Sequence, residues 1–305
     1  MQRSARQRRL LISAAFLQMN TDPMPGGHRR ALRFTSFRMS LPHDLVTHFK
    51  QYFEIVPADT PDLLEQAFRL RYQVYCQEGC LPGFNPLAYP DGLERDIYDY
   101  EHRSAHCLLR HRHTGMNAGT VRLVLADPVR PDAPFPIEVA AGEQIEQGHA
   151  SMAGSIRRSI AECSRFILAK QFRSRRGEHQ WADGLAEEGL DAGRGSDERR
   201  VLPHPVLGLI KAAMIMSWEQ QVHYLYTAME PRLDRRLRQF GLELRPVSPL
   251  IEYHGPVRAH WGFLPEFLAH VHKLRPEVWC LLTENGKIWP ASRDDGASEM
   301  QRQMS

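Results

Sequence analysis

Long apolar segments are missing from this sequence. It contains no run of about 18 apolar residues, the length that a membrane-spanning helix needs. We therefore expect no stable membrane insertion. Internal repeats are missing as well, which argues against a repeat architecture.

Cysteine is sparse and has no metal-binding spacing. The five cysteines stand at positions 76, 80, 107, 163 and 280. The number is odd, and Cys76 and Cys80 are separated by three residues instead of the two usual in zinc sites. The histidines between 102 and 113 also have no ligand at metal spacing. We expect reduced thiols, no metal and a cytoplasmic location.

Acidic residues are nearly absent from the first 38 residues, which contain eight arginines and one acid, Asp22. The formal charge of +3 for the whole chain therefore conceals a mildly acidic remainder. Nucleic-acid-binding domains are clearly basic, so we expect no nucleic-acid partner. Residues 1–40 fit a targeting segment, a basic arm or a disordered extension before a true start at Met39.

The remaining patterns predict one α+β domain over residues 41–290. Thr60 and Pro61 form a helix start, and Gly79 is the expected stop. Alternation from Ala105 and again over 118–126 predicts a hairpin, and a further strand follows at 162–170. Strand 224–229 lies between two helical patterns. The segment at about 171–202 is charged and glycine-rich, which predicts an inserted loop, and 291–305 is expected to be a disordered tail.

Charged groups occur where burial is expected. Arg71 and Tyr75 lie four residues apart on one helix face beside the apolar stripe, although a solvated face would also explain an arginine there. Arg122 interrupts an apolar strand and should have a carboxylate partner. The segment ECSRFILAK, residues 162–170, begins with charged groups and ends as a core strand. Buried charges are costly unless paired, so this strand either starts at the surface or lines a site.

These residues form an ordered set of motifs. The set is Arg71-x-x-x-Tyr75, Glu94-x-Asp96-x-Tyr98-Asp99, Gly119-x-x-Arg122-Leu123 and Glu162-x-Ser164-Arg165-Phe166. In this order the motifs resemble the signature of acyl-homoserine-lactone autoinducer synthases and the related N-acyl amino acid synthases. The sequence most resembles the autoinducer-synthase-like acyltransferases of the exosortase (PEP-CTERM) system, over about residues 42–265.

The resemblance implies the GNAT (acyl-CoA N-acyltransferase) fold, with a mixed, mostly antiparallel sheet and helices on both faces. It also implies transfer of an acyl group from a thioester to an amine. The acyl carrier would lie where the strand at 162–170 splays from its neighbour. No bound cofactor is implied, since the acyl thioester is a co-substrate.

At two places the sequence departs from the family pattern, and these departures limit what the resemblance implies about the amine donor and the acyl carrier. The autoinducer synthases have a tryptophan soon after the first arginine, where this chain has Cys80-Leu81-Pro82. S-adenosylmethionine as the amine donor is therefore in doubt. The helix after the insertion opens with Leu202-Pro203-His204-Pro205, and prolines lack the N–H groups that would hold a coenzyme A pyrophosphate. This favours acyl carrier protein over coenzyme A as partner.

Aminolysis of a thioester requires a base, a polarised carbonyl and positioned reactants. Glu162 is the candidate general base, or alternatively a salt-bridge partner of Arg71 or Arg122. Backbone N–H groups near Phe166 and Ile167 are candidates for the oxyanion site. Strand parity puts Glu162 and Ser164 on one face and Arg165 on the other unless a bulge intervenes.

Further residues are assigned around this centre. Arg71, Asp96, Asp99 and Arg122 are expected to form an ion network that shapes the amine side, and Tyr75, Ser164 and Arg165 complete the substrate-binding set. Cys163 could instead act as an acylated nucleophile, or be a buried small residue. A basic rim for the acidic carrier protein is predicted at Arg173, Arg175, Arg176 and Lys211, together with Arg199 and Arg200; a solvated loop is the alternative.

The leading hypothesis is an N-acyltransferase that moves a fatty acyl group from acyl carrier protein to a small-molecule amine acceptor. The acceptor is expected to be an amino acid or a derivative of one. The alternatives are an acyl-homoserine-lactone synthase that uses S-adenosylmethionine, and a GNAT-like binding module without turnover.

Overall fold

The computed structural model describes residues 42–79, 82–100, 103–145, 154–173 and 204–291. Residues 1–40, residues 174–203 of the inserted loop and residues 292–305 of the tail lie outside this part, so their predictions stay predictions. None of the helices in the described ranges has the length and apolar character needed to cross a membrane.

Nine α-helices and eight strands make up the described fold. The helices are α1 (Pro42–Tyr52), α2 (Pro61–Tyr72), α3 (Ile97–Tyr100), α4 (Pro136–Ala141), α5 (Lys170–Arg173), α6 (His204–Glu219), α7 (Pro231–Gln239), α8 (Leu264–Leu274) and α9 (Pro276–Leu282). The strands are β1 (Phe53–Pro57), β2 (Ser104–His111), β3 (Asn117–Leu125), β4 (Ile160–Leu168), β5 (Tyr224–Met229), β6 (Arg245–Pro246), β7 (Ile251–Glu252) and β8 (Pro256–Phe263).

The sheet has the order β1-β2-β3-β4-β5-β8-β6, and β7 pairs with β8. Every pairing is antiparallel except that of β4 with β5, which is parallel. This confirms the predicted mixed, mostly antiparallel sheet. Because β4 and β5 run in the same direction, a crossover that includes α6 connects them on one face of the sheet.

Alternate strand residues pack against helices on opposite faces. Leu109 and Val121 belong to a core with α1, α6, α8 and α9. Leu108 faces the other way, into a core with α2. Val124 and Ile160 join a third cluster, which includes residues of α4. Helices therefore cover both faces, as predicted, and the period of two along each strand is the reason.

Helix α2 begins as the sequence predicts and places Arg71. The Thr60 hydroxyl accepts from Leu63 N at 3.4 Å, and Pro61 occupies the first turn. The helix continues as a π-helical segment, Gln73–Glu78, and Gly79 follows it. The wider turn carries Tyr75, which is buried beside the core that α2 shares with β2.

The acidic segment before β2 includes a short helix. Asp96 and Asp99 do not lead directly into a strand, because α3 intervenes. Asp96 Oδ1 accepts from Tyr98 N at 3.1 Å, and Asp99 Oδ2 accepts from Asp96 N at 3.0 Å. These side-chain bonds to backbone amides favour a short turn over an extended chain.

Candidate active site

Strands β4 and β5 separate halfway along their length. Their parallel pairing extends from Ile160 opposite Tyr224 to Cys163 opposite Thr227 and ends there, although both strands continue. A cavity of about 250 Å³ lies in the resulting gap. The gap gives ECSRFILAK the two environments that its composition indicates, a polar site at one end and a core at the other.

A bulge in β4 changes the direction of its side chains. Thr120 of β3 lies opposite Ile167, while Arg122, two residues later, lies opposite Ser164, three residues earlier. The extra residue on β4 is accommodated by Arg165, whose φ is +52°. The condition for convergence of Glu162, Ser164 and Arg165 is therefore met, and all three line the cavity.

Gly119 of β3 allows this bulge to approach. A Cβ at this position would lie 2.5 Å from the Ile167 carbonyl oxygen and 2.7 Å from Leu168 Cδ2. The first of these contacts is with backbone, which cannot move aside as a flexible side chain can. On β3, the motif Gly119-x-x-Arg122 therefore provides a glycine that leaves space for the β4 backbone and, three residues later, a charged side chain.

Three arginines and three carboxylates form a closed network under the bulge. Arg71 bonds Glu94 through Nε, and its Nη2 lies 2.9 Å from Asp99 Oδ2. Arg122 Nη1 donates to Asp96 Oδ1 at 2.7 Å and to Asp99 Oδ1 at 3.0 Å. Each carboxylate receives at least two of the three guanidinium groups, so the charges cancel within the cluster.

Arg165 completes this network from the bulge. Its Nη2 lies 2.9 Å from Glu94 Oε1 and 3.0 Å from Asp96 Oδ2, and its Nε donates to Glu94 Oε2 at 3.2 Å. Arg122 Nε also donates to Ser164 Oγ at 3.1 Å. Arg165 is thereby bonded directly to the acidic segment before β2, and its neighbour Ser164 is linked to that segment through Arg122.

Burial decides which members of the network can touch a substrate. The side chains of Arg71, Glu94, Asp99 and Arg122 are at most 1% exposed. Asp96 is 24% and Arg165 10% exposed. The prediction of carboxylate partners for Arg122 is confirmed, and the solvated-face alternative for Arg71 is wrong. Arg165 and Asp96 are therefore exposed enough to contact a substrate, while the four buried members of the network hold these two side chains in place.

Electrostatics keep the network charged. Burial alone would raise the pKa of Glu94, but Arg71 and Arg165 outweigh it and lower that pKa to about 2. The pKa of Asp99 is also lowered, by its bond to His106 and by the Arg71 and Arg122 charges, against the effect of burial. His106 Nε2 lies 3.2 Å from Asp99 Oδ1, yet burial lowers the His106 pKa, which keeps that ring neutral.

Glu162 stands apart from this network. It is 1% exposed, lines the cavity, and its Oε2 accepts from Ile137 N at 2.7 Å. Within the described ranges Glu162 forms no ion pair, so the salt-bridge alternative with Arg71 or Arg122 is wrong. Burial raises its pKa to about 7, although the Ile137 amide opposes this shift. A carboxyl group with such a pKa can exchange a proton near neutrality.

Cys163 shares the cavity but is poorly suited to nucleophilic attack. Burial raises the pKa of its thiol to about 12, and the Glu162 charge adds to this effect. The thiolate is the reactive form, so very little of it is present near neutrality. Cys163 is partly buried and packs against the main core, which favours the interpretation as a small packing residue over that as a nucleophile.

Aromatic rings frame the polar end of the cavity. Tyr75 and Phe84 are stacked with centroids 4.2 Å apart, and Phe84 lies 4.6 Å from His254. The Arg165 guanidinium carbon lies 5.3 Å from the Phe84 centroid. Tyr253 lines the same end. Of these rings only Tyr75 was predicted, because Phe84, Tyr253 and His254 come from loops without a recognisable pattern.

Apolar side chains, all but one of them aliphatic, form the other end of the cavity. They come from α6, β5, α7, α8 and the segment between α7 and β6. The members are Ile210, Ala213, Met214, Leu225, Leu233, Leu237, Leu242, Leu244, Leu264 and Phe267. This lining can bury a hydrocarbon chain of several carbons and supplies no charge to it.

The predicted oxyanion donors lie on the separated part of β4. Phe166 and Ile167 line the cavity and lie beyond Cys163, where β5 no longer pairs with β4. Their role as donors stays a prediction.

The predicted carrier-protein rim needs correction. Arg173 is buried and donates to Glu78 Oε2 at 2.7 Å and to the Leu168 carbonyl at 2.6 Å. Lys211 is buried and lies 2.8 Å from Glu284 Oε1. Both predictions are wrong, since neither side chain is presented at the surface. Arg175, Arg176, Arg199 and Arg200 lie outside the described residues.

The described ranges contain no group of three or more histidine, cysteine or acidic side chains arranged to hold a metal ion.

A sequence family matches the part of the chain that holds the network residues. Residues 70–182 match the sequence model described as Acetyltransferase (GNAT) domain. No curated protein matches the chain. The matched range contains Arg71, the acidic segment, both strands of the hairpin and all of β4.

Several solved structures are similar to this chain at low identity. The AHL synthase LasI is 17% identical, with 69% of this chain and 88% of that chain covered and a TM-score of 0.45. FeeM, an N-acyl amino acid synthase from uncultured soil microbes, is 12% identical, with 72% and 94% covered and a TM-score of 0.46. BjaI, a CoA-dependent acyl-homoserine lactone synthase, is 17% identical, with 76% and 88% covered and a TM-score of 0.47.

Identities this low say nothing of the substrate of this chain. The match over residues 70–182 and the sheet that contains them carry the assignment. This chain carries a GNAT domain and is an acyltransferase of that type.

Proposed function

We propose that the protein is an N-acyltransferase that moves a fatty acyl group from a thioester to the amine of an amino acid or an amino-acid-derived acceptor. The observation that carries this proposal is the Glu162 carboxyl group. Its pKa is raised to about 7 by burial, and it lines a cavity whose other end is aliphatic. A base of this kind takes a proton from an ammonium or amine near neutral pH.

The two ends of the cavity suit the two reactants. The aliphatic end would bury the acyl chain, and each buried methylene contributes about 0.8 kcal/mol. The polar end offers Glu162, Ser164 and Arg165 beside the diverging strands. The acceptor would enter at this end, next to Arg165 and Asp96, the exposed members of the ion network.

The reaction then needs few groups. Glu162 accepts a proton from the acceptor amine, and the amine nitrogen attacks the thioester carbonyl carbon. Backbone N–H groups of Phe166 and Ile167 would stabilise the oxyanion, after which the C–S bond breaks and the thiolate leaves.

Acyl carrier protein is the donor in this proposal. Pro205 lies in the first turn of α6 and has no N–H to offer a coenzyme A pyrophosphate. The acceptor class and the association with exosortase sorting rest on the sequence resemblance and are part of the same proposal.

The test is expression of the full chain in a bacterial host, followed by untargeted mass spectrometry of organic extracts. Glu162→Gln serves as the inactive control and Glu65→Gln, at an exposed site, as the matched one. We expect an acyl-amine series, spaced by two carbons, that is absent only with Glu162→Gln. Products opened by mild base would instead indicate a lactone synthase.

Purified protein completes the test where the host supplies no acceptor. Thiol release is measured with acyl carrier protein and with coenzyme A as acyl donors, in the presence of an amino-acid mixture. Release no faster than with Glu162→Gln for either donor would overturn the proposal.

A further inference from the structure

A buried ion pair lies directly behind the amide that bonds Glu162. Arg157 Nη1 donates to Glu138 Oε1 at 2.7 Å, and Nη2 donates to Oε2 at 2.5 Å. The two side chains are 4% and 10% exposed. Neither residue lines the cavity, and the reaction outlined above does not use them.

Glu138 closes the first turn of α4 around Ile137. Its Oε2 accepts from Phe135 N at 2.8 Å, while Glu138 N donates to the Phe135 carbonyl at 3.0 Å. The Glu138 carboxylate thus acts as the acidic half of a capping box, while Phe135 takes part only through its backbone, and these bonds fix the direction of the first amides of the helix. Ile137 stands between the two capped residues, so the direction of its N–H is set by them.

Arg157 fixes the same turn from the other side. Its Nε donates to the Pro131 carbonyl and its Nη2 to the Ala133 carbonyl, each at 3.2 Å. Its guanidinium carbon also lies 4.6 Å from the centroid of the buried Phe135 ring. One planar group thus joins the loop before α4 to the helix itself, and a planar fork is a more rigid link than a single ammonium.

Ile137 N–H is the single hydrogen-bond donor to the Glu162 carboxyl in the part of the chain described here. With Oε2 occupied by that amide, Oε1 is the oxygen left for a proton from the cavity. The orientation of the base therefore depends on the position of one backbone amide in a six-residue helix.

We propose that Arg157 and Glu138 are positioning residues for acyl transfer, which hold the Ile137 amide against Oε2 of Glu162 so that Oε1 faces the acceptor amine. This inference rests on the proposed function of Glu162. In the step it supports, Oε1 takes a proton from the amine nitrogen, the C–N bond forms, and the C–S bond breaks to release the thiolate.

The inference predicts a change in pH dependence. Burial raises the Glu162 pKa and the Ile137 amide lowers it, so a displaced amide lets the pKa rise above about 7. The titratable and charged groups that interact electrostatically with Glu162 are Arg122, Arg165, Glu138, Tyr98, Tyr253 and Cys163. Glu138→Gln also removes a nearby negative charge, which would lower the Glu162 pKa, so the two effects on this carboxyl are opposite in sign.

Arg157→Lys separates these effects because it keeps every charge and removes the bidentate geometry. For the full-length Arg157→Lys protein we expect the acid limb of the kcat/KM profile to move up by about one pH unit. At about pH 7 this lowers the rate about fivefold, and the rate recovers near pH 9. KM for the acyl donor should stay within about twofold, because the cavity lining is unchanged.

Arg173→Lys is the matched control. The Arg173–Glu78 pair is similarly buried, at 4% and 11%, but lies at the far end of β4. Loss of its guanidinium bonds, to Glu78 and to the Leu168 carbonyl, should lower stability comparably and leave the midpoint of the acid limb unmoved. A loss of rate that is equal at all pH values in both variants would overturn the inference, since a general loss of structure explains it.

A second readout needs no turnover. Carboxyl ¹³C NMR of Glu162, assigned with Glu162→Gln, should show a higher titration midpoint in Arg157→Lys than in the wild type. An unmoved midpoint overturns the positioning role even where the activity data are weak. An acid limb that persists in Glu162→Gln would overturn the proposed function itself, which distinguishes the two failures.

Discussion

The guanidinium of Arg165 and the carboxylate of Glu94, 71 residues apart in sequence, form two hydrogen bonds in the buried network, at 2.9 and 3.2 Å. This pair connects the β4 bulge to the acidic segment before β2. Since Arg165 has a φ of +52°, the ion pair also helps to hold a backbone conformation that most residues avoid.

Arg165→Met should destabilise the protein by about 3 kcal/mol, because it leaves Glu94 and Asp96 with one fewer partner in a buried site. It should also increase sensitivity to acid. The Glu94 pKa is lowered to about 2, so its stabilisation is complete above the ordinary value of 4.5 and is lost as pH falls towards 2. Acid unfolding followed by circular dichroism should shift to higher pH.

The matched control for Arg165→Met is Arg69→Met. Arg69 pairs with Glu65 on an exposed helix face, with side chains 62% and 52% accessible. Exposed pairs contribute about 0–1 kcal/mol, so its acid transition should stay in place. Equal shifts for the two variants would contradict a special role of the buried network.

Glu162→Gln should make the protein more stable than the wild type at alkaline pH. The Glu162 pKa is raised from 4.5 to about 7, so the wild type loses no stability below pH 4.5. Stability falls between about pH 4.5 and 7, because the unfolded state ionises there while the buried group stays protonated, and the loss is complete above pH 7. Above that range the difference amounts to about 3 kcal/mol. Urea unfolding at about pH 5 and pH 8 measures it; a difference that is constant with pH would refute the raised pKa.

Gly119→Ala should displace the β4 bulge, since the new Cβ would lie 2.5 Å from the Ile167 carbonyl oxygen. We expect a loss of about 1–3 kcal/mol in unfolding free energy and a larger relative loss in kcat. Gly208→Ala is the comparison, because its Cβ would meet only the side-chain ends of Leu109 and Phe49. Thermal unfolding and single-turnover acyl transfer distinguish the two variants. Similar kcat losses in both would contradict a role of the β4 bulge in catalysis.

Ala213→Leu should shorten the acyl chains that the enzyme accepts. Ala213 lines the aliphatic end of the cavity, and a leucine there fills about the space of three carbons of a chain. The product distribution, measured by mass spectrometry, should move to shorter chains by about two carbons. Ala212→Leu, at a buried neighbour outside the cavity lining, should cost stability without changing the distribution.

Local chemistry made part of this structure predictable. Thr60 and Pro61 predict the start of α2, and the charge of Arg122 in an apolar strand predicts its carboxylate partners. The first inference needs only neighbouring residues. The second needs only the free-energy cost of an unpaired buried charge. The motif order also identifies the residues that gather at the bulge.

Other features depend on contacts that sequence spacing does not contain. The bulge is a difference in register between two strands, so parity along β4 alone gives the wrong face for Arg165. Arg173 and Lys211 have the composition of an exposed rim, but each is buried against a distant acid, Glu78 or Glu284. The Ile137 amide has no side-chain signal at all, because any residue except proline offers the same N–H.

The closed ion network has a consequence for ionic strength. At about 0.1 M, mobile salt screens the attraction between exposed charges that lie more than about 10 Å apart, but it affects buried pairs much less. With four of its members at most 1% exposed, the network should keep its geometry from low to high salt. Encounter with the acidic carrier protein that we propose as the acyl donor is a surface event and is sensitive to salt. Raising the salt concentration should therefore raise the KM for the donor and leave the turnover of bound substrate nearly constant.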